Sequence, residues 1–568
     1  MFTFAVQTTN DMKQIGIILA WVILYAIPIK ADNFESATQA VANMAVGWNL
    51  GNTLDANNGK LQPDIVASET TWGQPVTQPA LMAMMKNAGF GAIRVPVTWF
   101  PHLDSDGKVD AAWMQRVHEV VDYVIDQGLY CILNVHHDTG DDSGGGFTSW
   151  LKADMAVYGQ QKARYEYLWQ QIATEFRDYG ERLLFESYNE MLDSYNSWCF
   201  ASFATSSKYN ATVAADAYQA INSYAQSFVN TVRATGGNNS QRNLVVNTYA
   251  ASCGSGTWNS HLKDPLKQMA LPQDNVEGHL LFQVHCYPNI SSLSAAKAEL
   301  NDMFSALRTH LVAKGAPVVI GEWGTSDSGD DYLNNRENMK AFARYLVQTA
   351  KTYGMATVYW MGLSDGVARS LPAFNQPDLA ETIVKAWRGD DYQGQFLTED
   401  DYDITYTVNF TKQWGEMNLC DHKLLLSNYK GLKVELDPAP ASNQLQVKCY
   451  GESKDLYVKV NGATTTVTFG SSLGTYVDRV TLQQMQTDPY SVVVHRIALI
   501  KSDGTEQEVR PTVFWGCDIT LDSHLKTVIV PVEYHAKTES ARYNLAGLRV
   551  DATYKGLVID NGKKLLVR

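Results

Sequence analysis

The chain has 568 residues, which is more than a single hydrophobic core supports, so several domains are predicted. Its apolar fraction of 45% and charged fraction of 19% are those of globular proteins that bury a core. The formal net charge of −14 argues against nucleic acid and anionic membrane surfaces as partners, and it is compatible with a neutral substrate.

An apolar run near the N-terminus, residues 15–27, is shorter than a bilayer-spanning helix requires. Pro28-Ile-Lys-Ala31 follows it, so residues 1–31 are interpreted as a secretory signal peptide that is cleaved after Ala31. The flank before the run is net positive only if the chain starts at Met12, which we favour as the true start. We therefore expect a protein that is secreted, or held at the cell surface or in the periplasm; an uncleaved membrane anchor is the alternative.

Seven cysteines are scattered along the chain without a CxxC motif or a dense framework, so no disulfide scaffold is predicted. Cys131 and Cys286 lie in apolar runs and are interpreted as small buried side chains. One disulfide within a domain is left open.

After residue 44 the chain alternates eight short apolar runs with stretches of helical periodicity, such as the one marked by Leu81, Met84, Met85 and Ala88. The apolar runs are typical of buried parallel strands. They span residues 45–51, 91–97, 130–136, 183–190, 243–249, 279–285, 317–324 and 356–360. Eight alternations of strand and helix predict an α/β fold, a (β/α)8 TIM barrel, over residues 32–390.

Two of the eight runs carry a glutamate at their end. Residues 183–190 close with Asn189-Glu190, and residues 317–324 contain Glu322. The carboxyl ends of the strands carry the chemistry of this fold, so both side chains are expected at one rim of the barrel. Two carboxylates that face each other across a sugar can supply the proton donor and the nucleophile or base of glycosidic-bond hydrolysis.

Residues 44–388 resemble glycoside hydrolase family 5, a family of (β/α)8 enzymes that includes cellulases. Seven stretches carry the resemblance: Gly47-Trp-Asn-Leu-Gly-Asn-Thr-Leu-Asp55, Ile93-Arg-Val-Pro-Val-Thr-Trp99, Leu133-Asn-Val-His-His-Asp138, Asn189-Glu190, His285-Cys-Tyr287, Gly321-Glu-Trp-Gly324 and Trp360. The resemblance implies catalytic glutamates on the fourth and seventh strands and a retaining mechanism, for which the two carboxyl groups lie about 5–5.5 Å apart.

The resemblance assigns the acid/base role to Glu190 and the nucleophile role to Glu322. It places the Tyr287 hydroxyl on the nucleophile and His285 near the acid/base. Arg94 lies among the apolar residues of the second predicted strand, where a guanidinium must find a buried partner. We therefore expect Arg94 beside Glu322, where it would keep that carboxylate ionised and oriented.

Further side chains are expected to bind the substrate. By resemblance, Asn189 binds the 2-hydroxyl of the cleaved sugar, His136 contacts the same sugar and Trp360 lies under it. The remaining candidates are His137, Asn49, Asn52 and Trp72, with Trp48, Trp99, Trp150, Trp198 and Trp323 as either aromatic platforms or packing residues. The His136-His137 pair suggests a metal, but neighbouring residues of a strand point to opposite faces, so no metal site and no cofactor are predicted.

From about residue 395 the chain changes to short alternating strands with turn signals such as Asn461-Gly462 and Asp503-Gly504. Residues 395–525 are predicted to form an all-β, jelly-roll-like sandwich, a candidate carbohydrate-binding module. Its aromatic residues Trp414, Tyr429, Tyr450 and Trp515 are expected either on a glycan-binding face or in the core. Residues 526–568 are predicted to form a short β tail of two hairpins, too small for a core of its own.

The sequence thus predicts a secreted, retaining endo-β-1,4-glucanase that needs no cofactor, has no stable membrane span and acts on a polysaccharide. The oligomeric state stays open, with a monomer favoured. The same mechanism on mixed-linkage glucan, xyloglucan, mannan or xylan is the alternative, because loops set specificity. Two other classes stay open: a non-catalytic glycan-binding protein, and a metal-dependent barrel hydrolase suggested by the histidine pair.

Overall fold

The computed structural model describes residues 34–142, 149–197, 209–256, 259–325 and 336–526, together with the backbone of four short strands after residue 541. The predicted signal peptide, Trp198 and Cys199 lie outside the described residues. The chain divides into two compact units, Met1–Tyr402 and Asp403–Arg568. In the part of the chain that the structure describes, no helix combines the length and the apolar character needed to cross a membrane.

Eight parallel strands close into a barrel in chain order, and the eighth pairs with the first. The strands are β1 (Val46–Asn49), β2 (Ala92–Val95), β3 (Tyr130–Asn134), β4 (Leu183–Glu186), β5 (Leu244–Ser252), β6 (Leu280–Cys286), β7 (Val318–Trp323) and β8 (Ala356–Tyr359). The helices are α1 (Ala37–Met44), α2 (Ile65–Glu69), α3 (Pro79–Ala88), α4 (Ala111–Asp126), α5 (Met155–Glu175), α6 (Ala211–Ala234), α7 (Asp264–Gln268), α8 (Leu293–His310), α9 (Arg336–Tyr353), α10 (Val367–Ser370) and α11 (Pro377–Arg388). The predicted (β/α)8 barrel is confirmed.

Helix α4 illustrates why these segments become helices. The Asp110 carboxylate caps its first turn by accepting hydrogen bonds from the backbone N–H groups of Ala112 and Trp113. The apolar residues recur on one face, and that face, which includes Val117 and Val121, is buried in the core around the barrel. The same periodicity turns each connecting segment into an outer-layer helix.

Helix α1 covers the amino-terminal end of the barrel. Its apolar residues Val41 and Met44 share one buried cluster with residues that point into the barrel, such as Ile132, Leu184 and Val319. The opposite end, where the strands finish, is therefore the open end of the barrel and the place for substrate.

Two strands end earlier than the sequence pattern indicates. β4 ends at Glu186, so Glu190 lies in the loop that follows rather than at the strand tip. β3 ends at Asn134, so His136 and His137 also lie beyond their strand. The alternation rule for strands therefore does not apply to the histidine pair.

The barrel unit continues beyond its last helix. Residues 395–402, which we assigned to the sandwich, belong to the first unit. Phe396 packs against the barrel core, and the Tyr402 hydroxyl donates to the Pro372 carbonyl at 2.9 Å. Composition changes near residue 390, but these contacts keep the segment on the barrel.

The second unit contains a sandwich of two antiparallel sheets. The strands are β9 (Tyr402–Phe410), β10 (Glu416–Cys420), β11 (Leu424–Leu425), β12 (Tyr429–Asp437), β13 (Leu445–Gly451), β14 (Leu456–Lys459), β15 (Thr464–Thr468), β16 (Tyr476–Gln484), β17 (Tyr490–Lys501), β18 (Glu506–Glu508), β19 (Thr512–Trp515) and β20 (Cys517–Leu525). Sheet I has the order β14-β13-β16-β10-β19, with β11 beside β16, and sheet II has the order β15-β12-β17-β9-β20, with β18 beside β17. Alternate residues of both sheets, such as Val447 and Leu499, form a separate apolar core. The predicted all-β fold of this region is confirmed.

The C-terminal tail forms one four-stranded antiparallel sheet of β21 (Arg542–Asn544), β22 (Arg549–Val550), β23 (Gly556–Asp560) and β24 (Lys563–Val567). The order of the strands in this sheet is β22-β21-β23-β24. The two hairpins predicted from the sequence thus pair with each other through β21 and β23.

The cysteines among the described residues are buried and carry free thiols: Cys131, Cys253, Cys286, Cys420, Cys449 and Cys517. The interpretation of Cys131 and Cys286 as small buried side chains is confirmed. Within these six cysteines, the disulfide that the sequence left open does not occur.

Candidate active site

A buried arginine, Arg94 of β2, lies at the centre of the open end of the barrel and uses all five of its N–H groups. Nε and Nη2 donate to the two carboxylate oxygens of Glu186 at 2.7 and 2.8 Å. Nη1 donates to Glu322 Oε1 at 2.6 Å and to Asn49 Oδ1 at 3.0 Å, and Nη2 also donates to Asn189 Oδ1 at 2.8 Å. Two carboxylates and two amides thus fix the guanidinium in one orientation.

Glu186, the last residue of β4, is a site residue that the sequence argument missed. Its side chain is fully buried, and it also accepts hydrogen bonds from Asn134 Nδ2 at 3.2 Å and Asn247 Nδ2 at 3.1 Å. Burial opposes ionisation, but Arg94 outweighs it and lowers the pKa of Glu186. A carboxylate inside an apolar run requires a buried cation, and that requirement was the signal in the sequence.

Glu322, near the end of β7, is almost completely buried. In addition to the bond from Arg94, its Oε2 accepts a hydrogen bond from the Tyr287 hydroxyl at 2.9 Å and lies 3.5 Å from His285 Nδ1. Burial raises the pKa of Glu322, while His285 and Arg94 oppose this shift. The surrounding donors hold this carboxylate in one orientation and stabilise its ionised form.

Glu190 faces Glu322 with His285 between them. His285 Nδ1 is 2.7 Å from Glu190 Oε1, so the same nitrogen approaches both carboxylates. One carboxylate oxygen of Glu190 and one of Glu322 lie within 4.8 Å of each other. This spacing matches a retaining pair of about 5–5.5 Å and is far below the roughly 6.5–9.5 Å of an inverting pair. The Glu190 side chain is 26% exposed, so the second carboxylate is open to water.

Tyr287 follows β6, which ends at Cys286. Its ring is partly exposed, whereas its hydroxyl end is buried against Glu322. Burial and the negative charges of Glu322 and Glu190 raise the pKa of Tyr287, so the hydroxyl stays protonated and donates. For His285, burial lowers the pKa, but Glu322 and Glu190 outweigh this effect and raise it. The two carboxylates therefore favour the protonated form of the imidazole.

The protonation of His136 follows from the orientation of Asn134. The Asn134 Oδ1 atom accepts from the backbone N–H of Val97 at 3.1 Å, so its Nδ2 atom faces Glu186 and His136 Nδ1, at 3.2 and 3.0 Å. His136 Nδ1 is thus an acceptor, and the neutral ring carries its proton on Nε2. Burial lowers the pKa of His136 well below its ordinary value, which keeps the ring neutral. Its Nε2 atom lies 4.0 Å from Glu322 Oε1, and its N–H group is directed to the site.

Trp360 follows β8 and forms an aromatic wall of the site. Its ring is parallel to that of His136, with an interplanar angle of 5° and centroids 5.8 Å apart. Gly51 lies against the indole, and a Cβ at this position would come within 2.9 Å of it. Glycine at residue 51 therefore allows the indole to take this place.

His137 and Trp72 lie side by side, with ring centroids 5.2 Å apart. Trp72 Nε1 donates to the Asn57 carbonyl at 2.8 Å, and His137 Nε2 lies 3.7 Å from Asp55 Oδ2. Burial lowers the pKa of His137 to about 4 and raises the pKa of Asp55 to about 6. These side chains extend the site beyond the two central glutamates.

Among the residues that the structure describes, two sets of side chains have the spacing of metal ligands: Asp55 with His136 and His137, and Glu190 with His285 and Glu322. The rings of His136 and His137 are 4.5 Å apart, so the prediction that they point to opposite faces is wrong. The reason is that both residues follow the end of β3. A carboxylate with two imidazoles is a ligand set suited to Zn²⁺. The second set is already organised by the hydrogen bonds described above.

The three predicted asparagines differ in what they contact. Asn49 is fully buried, and its Nδ2 atom donates to the Gly321 carbonyl at 2.9 Å, so the predicted substrate contact is corrected to a role in holding Arg94 and β7. Asn52 is half-buried in the loop after β1, with a left-handed φ of 61°. Asn189 is held through Oδ1 by Arg94, which turns its amide NH2 group away from the guanidinium.

Most of the further tryptophan candidates pack inside the protein. Trp48, Trp99 and Trp323 are fully buried in the barrel core, and Trp150 is nearly so. Trp150 Nε1 donates to Asp138 Oδ1 at 2.6 Å. Among the described candidates, Trp72 and Trp360 therefore remain as partly exposed aromatic surfaces.

The sequence profile of the family described as Cellulase (glycosyl hydrolase family 5) matches residues 54–365, which are 312 of the 568 residues. The chain belongs to glycosyl hydrolase family 5. Endoglucanase B of Clostridium cellulovorans is 30% identical to this family 5 chain over 405 residues, which cover 69% of the chain and 83% of that protein.

Solved structures of the same family superpose on this family 5 chain. A GH5-4 broad specificity endoglucanase from an uncultured bacterium is 60% identical with a TM-score of 0.61, covering 63% of this chain and 96% of that one. A variant of the family 5 enzyme PbGH5A from Prevotella bryantii B14, solved with a xyloglucan tetradecasaccharide, is 40% identical with a TM-score of 0.55 and covers 62% and 99%. Family 5 membership makes this protein a glycoside hydrolase, and retention of configuration is general in the family.

Proposed function

We propose that this family 5 hydrolase is an endo-β-1,4-glucanase that cleaves its substrate by double displacement, with Glu322 as the nucleophile and Glu190 as the acid/base. The observation that carries the proposal is the approach of their carboxylate oxygens to within 4.8 Å, with His285 Nδ1 between them. Several of its relatives are named endoglucanases, which supports a glucan as the substrate class.

In the first step, a Glu322 oxygen attacks the anomeric carbon while Glu190 gives its proton to the glycosidic oxygen. The bond to the leaving chain breaks, and a glycosyl ester of Glu322 forms. Arg94 and Tyr287 orient the attacking carboxylate through their hydrogen bonds. The Asn189 NH2 group would donate to the sugar 2-hydroxyl, a bond that accelerates the step if it strengthens in the transition state.

In the second step, Glu190 is ionised and removes a proton from water as the water oxygen attacks the anomeric carbon. The ester bond breaks, Glu322 is released as a carboxylate, and the sugar keeps its configuration. His285 Nδ1 lies 2.7 Å from Glu190 Oε1 and orients this carboxylate. The exposure of Glu190 gives water a route to this carboxylate.

The aromatic and histidine side chains around the two glutamates would bind the sugars. Trp360 offers a flat apolar face, and His136 offers its Nε2–H group as a donor. Trp72 and His137 form a second contact region, and Asn52 is a further contact in the loop after β1. Together these groups would bind adjacent sugars of one chain.

The test of the catalytic roles uses the two glutamates separately. Glu322→Gln removes the nucleophile and is expected to abolish hydrolysis of carboxymethylcellulose. Glu190→Ala is expected to lose activity on polysaccharide but still to form the glycosyl-enzyme from an aryl cellobioside with an acidic leaving group, because that group departs without a proton. Hydrolysis of the glycosyl-enzyme has lost its base, so azide should restore turnover of the aryl substrate and form a glycosyl azide. Glu277→Gln changes an exposed glutamate of the barrel unit and is the matched control. Wild-type rates in Glu322→Gln would refute the assignment.

The enzyme is expected to hydrolyse a broader range of glycans than cellulose alone. One similar structure is that of a broad specificity endoglucanase, and another contains bound xyloglucan. Mixed-linkage glucan and xyloglucan are therefore candidate substrates together with β-1,4-glucan, and mannan and xylan are the remaining candidates. Reducing-end release from each soluble polysaccharide ranks them, and a rapid fall in viscosity identifies internal cleavage. Activity on mannan or xylan alone would replace the glucanase assignment.

Secretion is also part of the proposal, and it rests on the apolar run of residues 15–27 and on Ala31. Expression of the gene in a host with a Sec system should release protein into the periplasm or the medium. The N-terminal sequence of that product should begin at Asp32. A product that keeps residues 15–27 and sediments with membranes would show an anchor instead.

A further inference from the structure

The outer face of sheet I differs from that of sheet II in the burial of its polar side chains. On sheet II, the outward residues Thr464, Thr466 and Glu508 are exposed, as expected for a solvated face. On sheet I, five outward polar residues are each less than a tenth exposed: Glu416, Asn418, Gln446, Thr481 and Gln483. Their direction follows from the register, because the residues between them, such as Val447 and Leu482, point into the sandwich core.

These buried polar residues form one hydrogen-bonded network around Glu416. Gln483 Nε2 donates to Glu416 Oε1 at 2.6 Å, and Thr481 Oγ1 and the Tyr450 hydroxyl donate to Oε2 at 2.8 and 2.6 Å. Gln446 Nε2 donates to Gln483 Oε1 at 2.5 Å. A network in which the members satisfy one another is rigid, so the face has one defined arrangement of amides and hydroxyls.

One acceptor of this face lacks a partner. Asn418 donates through Nδ2 to Thr512 Oγ1 at 3.0 Å, but its Oδ1 atom is buried and has no hydrogen-bond partner among the described residues. A buried acceptor without a donor costs free energy, so a ligand hydroxyl or amide that reaches Asn418 Oδ1 would stabilise this face.

Exposed aromatic rings stand at the two edges of the same face. Tyr457 on edge strand β14 is 53% exposed, and Phe514 on edge strand β19 is 41% exposed. Lys448 Nζ lies over the Tyr450 ring at 3.8 Å, and Arg479 lies over the Phe514 ring at 4.3 Å. The five strands from β14 to β19 span about 19 Å at the usual strand spacing, which is room for several sugar rings in a row.

We propose that the outer face of sheet I is a second glycan-binding site, which takes a neutral β-1,4-glucan chain laid across the strands. The apolar faces of the sugar rings would stack on Tyr457 and Phe514, and the sugar hydroxyls would pair with the amides and with Asn418 Oδ1. The choice of glucan rests on the proposed function of the barrel. This site does not include all of the aromatic residues that the sequence suggested for a glycan-binding face. Tyr429, one of them, lies on sheet II and packs against the sandwich core.

The test uses the full-length chain with Glu322→Gln and Trp360→Ala, so that the barrel no longer cuts the polysaccharide and binds it more weakly. Native electrophoresis through a gel containing hydroxyethylcellulose measures retardation. This background protein should still be retarded, and adding Tyr457→Ala and Phe514→Ala should raise its apparent Kd at least fivefold. Leu525→Ala removes an equally exposed apolar side chain from sheet II and should change nothing.

A folding control comes from the same double change in the chain with an intact barrel. Tyr457→Ala with Phe514→Ala should leave the rate on a soluble aryl cellobioside unchanged and lower the rate on insoluble glucan. The inference is overturned if the background protein is not retarded, if the double change has no effect, or if polygalacturonate retards the protein as strongly as hydroxyethylcellulose does. Retardation by hydroxyethylcellulose without hydrolysis of any glucan would contradict the proposed function of the barrel and leave this site standing.

Discussion

Arg94 and Glu186 form a two-point ion pair inside the barrel, with Nε–Oε2 and Nη2–Oε1 distances of 2.7 and 2.8 Å. Both side chains are completely buried. Nη1 of Arg94 takes no part in this pair and donates to Glu322 Oε1 at 2.6 Å, so a single cation is shared by two carboxylates. Glu186 thus supports the proposed nucleophile through Arg94, although it lies too deep to meet a substrate.

Glu186→Gln is expected to destabilise the protein strongly near neutral pH. Breaking a buried ion pair costs up to about 3–5 kcal/mol, and Arg94 would keep only Glu322 as a buried counterion. Arg94 lowers the pKa of Glu186, so this contribution is complete above the ordinary value of 4.5 and is lost as the pH falls through the lower folded-state value. The difference in Tm between wild type and variant should therefore shrink in acid.

Thermal unfolding followed between about pH 3 and 7 checks this. Glu277→Gln, an exposed change of the same kind, should track the wild type at every pH. A variant that matches wild-type Tm at neutral pH would show that the pair contributes little.

Tyr287→Phe is expected to move the pH profile of the enzyme. The Tyr287 hydroxyl stabilises ionised Glu322, so its removal should raise the pKa of Glu322 further than burial already does. A nucleophile must be ionised, so the acid limb of kcat/KM should shift to higher pH. The loss of one hydrogen bond to a charged group should also lower kcat/KM about ten- to hundredfold.

The measurement is kcat/KM on a soluble glucan across the acid range for wild type, Tyr287→Phe and Tyr167→Phe. Tyr167 lies on the exposed side of α5 and supplies the control. If the acid limb is unchanged in Tyr287→Phe, the ionisation that limits kcat/KM at low pH is not that of Glu322.

The barrel and its two glutamates were predictable because strong local patterns specify them. Eight apolar runs separated by helical periodicity leave few folds that bury them all. Glu190 and Glu322 stood out because a charged residue closes an apolar run. Glu186 is also a charged residue that closes an apolar run. The sequence pattern extends β4 to Glu190, whereas the strand ends at Glu186, and for this reason Glu186 was not predicted.

Other features depend on where a strand stops, which a sequence pattern locates poorly. The ends of β3 and β4 lie before the polar residues that follow them. The rule of alternating faces therefore failed for His136 and His137, whose rings meet at 4.5 Å. The network on sheet I was not foreseen either, because it depends on the pairing of strands that are distant in sequence.

Asn49→Ala and Trp360→Ala are expected to separate positioning from substrate binding. Asn49 is fully buried between Arg94 and the Gly321 carbonyl, so its loss should lower kcat and leave KM nearly unchanged. Trp360 presents a partly exposed ring, so its loss should raise KM. Kinetics on a soluble glucan, with Tm measured in parallel, provide the comparison. A rise in KM alone for Asn49→Ala would restore the substrate contact that the sequence suggested.

Asp55→Asn is expected to stabilise the protein, and more so as the pH rises. Burial raises the pKa of Asp55 from 3.8 to about 6, so its ionisation disfavours the folded state as the pH climbs through that range. A shift of about two pKa units corresponds to about 3 kcal/mol above pH 6. Asparagine can still accept the hydrogen bond that Asp55 Oδ1 takes from the Thr53 N–H at 2.9 Å, and it carries no charge. Its gain in Tm over wild type should therefore be small near pH 4 and large near pH 7, whereas Asp178→Asn, an exposed change, should show no such trend. A gain that is equal at all pH values would mean that Asp55 does not titrate in the folded protein over this range.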